Sequence, residues 1–331
     1  MKNILISVSL LSTLGILGVV ACKKNNTTAT PSSQSLAEVF SDLKYSPQNI
    51  NVYAGRDTIV YGTKGTMFHF YANSFKDING KIITTGIINL ALIEMYKPVD
   101  MICNRASTTA NGAILQSGGQ VKVIATMAGK PVFANKYGIG FPQSKASTLQ
   151  MQIFQTNSGD TSTNWTMADT TQKQGTTAYQ KDSTRFGTFG KAYVFDSTPS
   201  FNYINCDRFY GNDSPKTSVG VILPDTTFNP MNTQAYLIFP DINAAITSSN
   251  YYFRSSGDST YNWDTHVMKI GSFNYLNRVP TGLNYAFVVI TNKNGTYYFY
   301  QTSGKTKMNM VLTASMVMDT HADIVARLGA L

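Results

Sequence analysis

The chain has 331 residues, of which 43% are hydrophobic and 14% charged, and its formal net charge is +9 at pH 7. This balance excludes a disordered, charge-rich protein and provides enough apolar residues for packed cores. The basic residues are scattered and form no cluster or stripe, so we expect no nucleic-acid partner. The three cysteines, Cys22, Cys103 and Cys206, are too few for a disulfide framework.

The N-terminus reads MKNILISVSLLSTLGILGVVAC and ends at Cys22. Lys2 supplies a short positive region, an apolar run follows, and Ala21 is a small residue at the expected cleavage position. Residues 1–21 are therefore predicted to be a signal peptide. The apolar run is too short for a stable membrane span.

The ending VVAC resembles a bacterial lipobox, in which the cysteine is acylated and becomes the new N-terminus. This resemblance implies that Cys22 is the lipid attachment site and that the N-terminus attaches the chain to a membrane. The alternative is an ordinary signal peptide with an incidental cysteine. Residues 22–44 contain the polar run KKNNTTATPSSQS and are predicted to form the lipid anchor and a flexible tether. Lys23 is not the aspartate that, by the bacterial sorting rule, retains lipoproteins in the inner membrane. We expect an outer-membrane lipoprotein, at the periplasmic face or the cell surface.

Residues 45–155 are predicted to form a first β-sandwich. They contain short β-branched and aromatic runs bounded by glycine, namely TIVYG, GTMFHFYA, IITTGIINLALIEMY, QVKVIAT and LQMQIF. The segments DING and MAGK are typical of the tight turns that connect such strands.

Residues 156–190 are rich in Ser, Thr, Gln and Gly and are predicted to be a connecting segment. Residues 191–331 return to strand patterns, including the hairpin YAFVVITNKNGTYYFYQ around Asn294-Gly295. Asp319 or Thr320 is expected to cap a short C-terminal helix. The apolar face of that helix consists of Ile324, Val325, Leu328 and Leu331. The predicted fold class is all-β, with two β-sandwich-like domains in tandem and a short C-terminal helix.

Two segments carry a family resemblance. ANSFKDINGKIITTGIINLALIEMYKPVDMI, followed by LQSGGQVKVIAT, resembles the repeated theme of envelope lipoproteins of the Bacteroidota type, and FNYINCDRF is similar to a segment of the same proteins, with Tyr203 where tryptophan is expected. The first domain is also distantly similar to ZU5-like β-sandwiches. The resemblance implies the architecture and an envelope location, and it brings no catalytic residue.

Two octapeptides are similar, SGDTSTNW ending at Trp165 and SGDSTYNW ending at Trp263. Their flanks differ, so we interpret them as separate loops in which Ser-Gly-Asp turns the chain and the tryptophan anchors the returning strand. The competing hypothesis is an exposed ligand loop, because aromatic residues mixed with small polar ones are typical of recognition loops. Its candidate residues are Trp165, Tyr251, Tyr252, Tyr261 and Trp263.

Catalytic signatures are sparse. No HExxH, CxxC or G-x-S-x-G motif is present, and none of the three histidines has metal-ligand spacing, so we predict no metal site and no cofactor. The strand-end carboxylates are Glu94, Asp100, Asp207 and Asp241, and spacing alone leaves open whether any two face each other across a cleft. Cys103 and Cys206 could form a disulfide in an oxidising compartment, although two buried thiols agree better with their separate positions.

The expected function is a non-catalytic binding or structural role in the bacterial envelope, with a polysaccharide or an envelope protein as the ligand. The alternative is a hydrolase that acts on polysaccharide.

Cys22→Ala is expected to leave the protein unprocessed or soluble, because the acceptor thiol for the lipid is lost. Membrane fractionation and mass spectrometry of the N-terminal peptide measure this. Unchanged membrane partition, with no lipid mass on that peptide in the wild-type protein, would contradict the anchor.

Overall fold

The computed structural model describes residues 40, 44–156, 165–168, 175–180, 189–211, 213–248, 261–262, 264–271, 276 and 278–331. The predicted signal peptide, Cys22 and most of the predicted tether lie outside these residues. The described residues belong to one compact unit, Ser33–Leu331. No helix in this part of the chain has both the length and the apolar character needed to cross a membrane.

The first part of the unit contains fourteen strands and one helix among its described residues. In chain order they are β1 (Gln48–Tyr53), β2 (Thr58–Tyr61), β3 (Met67–Phe70), β4 (Phe75–Lys76), β5 (Ile87–Met95), α1 (Pro98–Cys103), β6 (Thr109–Ala110), β7 (Ala113–Met127), β8 (Lys130–Ala134), β9 (Tyr137–Gln143), β10 (Gln152–Thr156), β11 (Thr166–Met167), β12 (Thr176–Gln180), β13 (Phe189–Thr198) and β14 (Asn202–Phe209).

The second part, over the residues described there, contains eleven strands, a 3-10 turn at Pro240–Ile242 and the C-terminal helix. They are β15 (Lys216–Thr217), β16 (Val219–Ile222), β17 (Thr233–Phe239), β18 (Ala244–Thr247), β19 (Tyr261–Asn262), β20 (Val267–Lys269), β21 (Val279–Pro280), β22 (Asn284–Lys293), β23 (Thr296–Lys305), β24 (Met310–Thr313), β25 (Val317–Asp319) and α2 (His321–Gly329).

Four main sheets form from the described strands. Sheet I has nine strands in the order β1-β5-β7-β14-β10-β11, with β4, β6 and β8 attached, and sheet II has the order β12-β13-β9-β3-β2. Sheet III has the order β18-β17-β22-β23-β25, and sheet IV has the order β19-β20-β16-β24, while β15 and β21 pair separately. Apart from the parallel pair β16–β24, the strands pair antiparallel.

Each pair of sheets encloses its own apolar core. Between sheets I and II, Leu90 and Val123 pack with Phe68 and Ile139. Between sheets III and IV, buried residues of β17 and β22 pack with Val221 and others of β16 and β20. The protein is therefore built of two β-sandwiches, and the predicted all-β class is confirmed.

A third core lies between the two sandwiches. Ile93 and Phe154 of sheet I share one buried cluster with Tyr236 and Val288 of sheet III, and helix α1 adds Met101 to it. The sheets are consequently stacked in the order II, I, III, IV, and each of the two inner sheets buries residues on both of its faces. This explains why every residue of β17, TQAYLIF, is buried.

The boundary between the sandwiches differs from the predicted one. Strands β13 and β14 pair with β9, β7 and β10 of the first sandwich. Strands β11 and β12, which lie within the predicted connecting segment 156–190, join sheets I and II. The first sandwich therefore continues to Phe209, and the predicted limits 45–155 and 191–331 are wrong. The edge strand β12, TTAYQ, has the same polar composition as a loop because edge strands face water.

The local predictions near the C-terminus are largely confirmed. Thr320 caps α2, since its Oγ1 accepts a hydrogen bond from the Asp323 amide at 3.1 Å. Asn294 and Gly295 connect β22 to β23 with positive φ angles of 54° and 81°. Val325 is wrong as a member of the apolar face, because it is 42% exposed, whereas Ile324 and Leu328 are buried.

The predicted tether is too long at its C-terminal end. Phe40 is 2% exposed and belongs to the cluster between the sandwiches. Its ring lies 5.9 Å from that of Tyr236, and the Arg105 guanidinium lies 5.5 Å from its centre. Phe40 thus attaches the chain to the fold, so residues 22–44 are not all tether.

Phe40→Ala is expected to lower the free energy of unfolding by about 3–5 kcal/mol, because it removes a buried ring from a packed layer. Phe40→Leu is the matched control and should cost less than about 1.5 kcal/mol. Urea denaturation followed by circular dichroism measures both. Equal stability of Phe40→Ala and wild type would show that this segment does not contribute to the core.

Candidate functional site

Two of the five predicted ligand-loop residues are core residues. Trp165 is fully buried and its Nε1 donates a 2.6 Å hydrogen bond to the Ser107 carbonyl oxygen. Tyr261 is also fully buried, and its hydroxyl donates to the Phe228 carbonyl at 3.1 Å. Both side chains are inaccessible to a ligand, so the exposed-loop hypothesis is wrong for them, and the anchor interpretation is confirmed for Trp165.

The other three candidates, Tyr251, Tyr252 and Trp263, lie outside the described residues, as do the Ser-Gly-Asp turns of both octapeptides. The search for a site therefore turns to the strand-end carboxylates and to the surfaces of the sheets.

Glu94 holds the two sheets of the first sandwich together. Its carboxylate accepts hydrogen bonds from Gln48 Nε2 at 2.6 Å, from the Lys64 amide at 2.8 Å and from both the amide and the hydroxyl of Thr66. The loop between β2 and β3 closes over it so tightly that a Cβ at Gly62 would lie 2.5 Å from the carboxylate. These donors occupy the carboxylate oxygens, which gives Glu94 a structural role.

Asp100 is similarly engaged at the start of helix α1. It accepts hydrogen bonds from the amides of Tyr96 and Lys97 at 2.8 and 3.0 Å, and it forms a 2.8 Å ion pair with Lys64. Burial, together with the neighbouring Asp100 charge, raises the pKa of Tyr45, whose hydroxyl hydrogen-bonds to this carboxylate. Asp100 thus connects the segment before β1 to α1.

Asp207 is fully buried in β14. Burial raises the pKa of its carboxyl group well above the ordinary value, although hydrogen bonds from Ser117 and Asn205 act in the opposite direction. Its Oδ1 has no hydrogen-bond partner. The fourth carboxylate, Asp241, accepts a 2.8 Å hydrogen bond from Asn284 Nδ2.

The two thiols of the body are free and buried, as the sequence favoured. Cys103 belongs to the cluster between the sandwiches and Cys206 to the core between sheets I and II. Burial, reinforced by Asp100, raises the pKa of Cys103 to about 12, and burial raises the pKa of Cys206 well above its ordinary value. Among the described residues no three His, Cys, Asp or Glu side chains are grouped so that they could hold a metal ion.

The most distinctive surface is a bare part of sheet I, which we call the amide face. It lies on the neighbouring strands β1, β5, β7 and β8. Its members share an exposed or half-buried position on the same side of the sheet: Asn49, Asn51, Tyr53, Ile87, Asn89, Ala91, Ile124, Thr126, Pro131 and Phe133.

The ten residues of the amide face are apolar or carry uncharged polar groups, and three of them are asparagines. Tyr53 is 55% exposed, Ile124 50% and Ile87 44%. Asn51 pairs with Asn89, which in turn pairs with Thr126, so these side chains form a row of hydrogen-bonding groups across three strands. At one end, the Arg56 guanidinium lies 5.6 Å from the centre of the Tyr53 ring.

The alternation of the strands explains how this face arises. In β1 and β5, Val52, Ile88 and Leu90 point into the core against sheet II, which leaves the residues between them on the opposite side. Further along β5 that opposite side is buried against sheet III, beginning at Ile93. The amide face is therefore the part of sheet I that sheet III does not cover.

A groove of about 400 Å³ lies where the amide face meets the segment before β1. Its floor is apolar and consists of Ala91, Ile93 and Ile124, and its walls carry Lys44, Tyr45, Pro47 and Lys122 among others. Tyr45 is held in place by Asp100 and by the Lys64 ammonium, which lies 4.9 Å from the centre of its ring.

The amide face was missed by sequence reasoning, although a signal for it exists. In QNINVY, carboxamides alternate with Ile50 and Val52, and Asn89 repeats that pattern in β5. Chemically, the face offers groups that both donate and accept hydrogen bonds beside exposed aromatic and aliphatic surface.

Comparison with known proteins found no match among family models, curated proteins or solved structures.

Asp207→Asn is expected to stabilise the protein at neutral pH. The unfolded chain loses the carboxyl proton near the ordinary pKa of 3.8, whereas the folded chain keeps it to a higher pH. The contribution of Asp207 to stability therefore falls as the pH rises above about 4 and continues to fall up to the raised pKa. Neutral asparagine removes this loss.

Thermal denaturation at a series of pH values tests the effect, with Asp213→Asn at an exposed position as the control. The melting temperature of Asp207→Asn should exceed that of wild type at neutral pH and converge on it in acid. If the melting temperatures of Asp207→Asn and wild type differed by the same amount at every pH, the raised pKa of Asp207 would be contradicted.

Proposed function

We propose that the protein is a lipoprotein of a bacterial outer membrane, attached through Cys22, that binds a glycan chain on the amide face without altering it. The lipobox-like VVAC supports the anchor, and the resemblance to Bacteroidota-type lipoproteins and ZU5-like β-sandwiches supports an envelope location.

The amide face carries the proposal for the ligand. A sugar ring has apolar C–H faces that pack on aromatic and aliphatic side chains, and Tyr53, Ile87 and Phe133 present such surface. Its hydroxyl groups both donate and accept hydrogen bonds, which matches the row of Asn51, Asn89 and Thr126.

Size and rigidity also favour an extended chain as the ligand. With neighbouring strands spaced about 4.8 Å apart, the four strands span about 14 Å. The side chains of this surface stand on strands whose other side is packed in a core, so little conformational entropy is lost when a ligand binds. An exposed surface made of uncharged side chains suits a polymer of repeated sugar units.

A hydrolase would need two carboxylates facing each other across the bound sugar. Of the four strand-end carboxylates, Glu94 and Asp100 are occupied by backbone and side-chain donors, and Asp207 is buried. No observation on the described residues favours hydrolysis over binding, so binding is the function we propose.

The full chain, purified in a polyoxyethylene detergent that contains no sugar, should bind at least one polymer of a panel of envelope and plant polysaccharides in calorimetry. Tyr53→Ala and Asn89→Asp should each weaken that binding by about tenfold or more, because they remove stacking surface or place a charge on the face. Both residues are exposed, so stability should change by less than about 0.5 kcal/mol.

Met318→Ala is the matched control, since Met318 is 66% exposed on the second sandwich. Undiminished binding by Tyr53→Ala and Asn89→Asp would place the ligand elsewhere. Release of new reducing ends from a bound polymer would favour the hydrolase, and an absence of binding across the whole panel would contradict the proposal.

A further inference from the structure

The groove beside the amide face has a chemistry of its own. Among the described residues, its lining includes two lysines, Lys44 and Lys122, and no acidic side chain. Asp100, the carboxylate that holds the wall residue Tyr45, is already paired with Lys64 and with two backbone amides. The described lining of the groove therefore carries positive charge, in contrast to the uncharged residues of the amide face that it adjoins.

Lys122 is built into the sheet and is not an ordinary surface lysine. It is 7% exposed and pairs with Ile93 across strands β5 and β7. This pair lies beside the Ala91–Ile124 pair, which forms part of the floor of the groove. Its ammonium lies 4.8 Å from the centre of the Tyr203 ring, which restrains the side chain. A charged group held in this way can receive an anion with little loss of conformational entropy.

The opposite wall is fixed as well. Lys44 donates its backbone amide to the Phe40 carbonyl at 3.0 Å, and Phe40 is buried between the sandwiches. Tyr45, next in the chain, is held by Asp100 and Lys64. The two lysines thus approach the groove from two separately anchored segments.

The register makes the groove continuous with the amide face. Asn49, Ala91 and Ile124 occupy one row across β1, β5 and β7, and Ala91 and Ile124 belong to both surfaces. From Asn49 to Tyr53, β1 extends about 14 Å. A polymer lying along the face would reach the groove with one of its next units.

From this geometry we infer that the groove binds the acidic group of the glycan, so that the ligand class is an acidic polysaccharide whose carboxylate is held by Lys44 and Lys122. The inference rests on the proposed function and adds the class of its ligand. The carboxylate gains charge-assisted hydrogen bonds from two ammonium groups, while the neutral parts of the sugar contact the amide face.

Pairs of polymers that share a backbone and differ in charge test this directly. One pair is polygalacturonate and its fully methyl-esterified form, and another is hyaluronan and its carboxyl-reduced form. The full chain in the same uncharged detergent should bind the acidic member of a pair roughly tenfold or more tightly at low salt, and high salt should narrow the difference.

Lys44→Met and Lys122→Met should each reduce this preference and leave the affinity for the neutral member nearly unchanged. Lys130→Met, at the exposed hairpin between β7 and β8, removes one charge from the same sheet and should keep the full preference. If Lys122→Met fails to fold because its position is buried, Lys44→Met still decides the question.

The outcomes separate the two proposals. Equal affinity for both members of each pair overturns the acidic groove and leaves glycan binding intact. Binding of neither member overturns both. Monomeric dihexanoyl phosphatidylglycerol tests whether the anion comes from a lipid. The inference is wrong if this lipid binds, if the lysine variants abolish its binding, and if the polymers show no preference for the acidic member. In that case the groove binds a lipid headgroup.

Discussion

The packing of sheet I against sheet III is the interaction on which the rest of the structure depends. Residues such as Phe154, Tyr203 and Val288 would face water if either sandwich stood alone, and in the protein they form one buried cluster. Burial of such a layer contributes about 25 cal/mol per Å² of apolar surface, so the two sandwiches stabilise each other. Helix α1, the C-terminal helix and Phe40 all add side chains to this layer.

This layer also determines where the protein can bind something. Sheet I is longer than the area that sheet III covers, and beyond Ile93 its outer side carries Ala91, Asn89 and Ile87 in place of core residues. The amide face and the groove are thus consequences of an incomplete overlap between two sheets. Because the groove wall begins at Lys44, close to Phe40, the same layer connects the proposed binding surface to the segment that leads towards the predicted lipid anchor.

Several elements were predictable because their signals are local. The hairpin around Asn294-Gly295 needs only positive φ at two residues, and the cap at Thr320 needs only a hydroxyl that faces the amide of Asp323. The burial of Trp165 followed from the size of its ring. The domain boundary could not be predicted in this way, because the Thr-rich edge strand β12 and a solvated loop have the same composition. In addition, the pairing of β14 with β7 joins residues more than 70 positions apart, such as Asn202 and Val123.

The sequence by itself determined the class of fold, because alternating β-branched and aromatic runs between turns bury their apolar sides only as sheets. It also determined the candidate anchor at Cys22, through a short linear pattern. The tertiary structure alone decided which strand faces are covered. Whether Asn89 faces water and Ile93 faces a core depends on where sheet III ends, and the sequence from Asn89 to Ile93 contains no information about that position. For the same reason Lys44 and Lys122, which lie far apart in the chain, become neighbours in one groove only after the sheets have stacked.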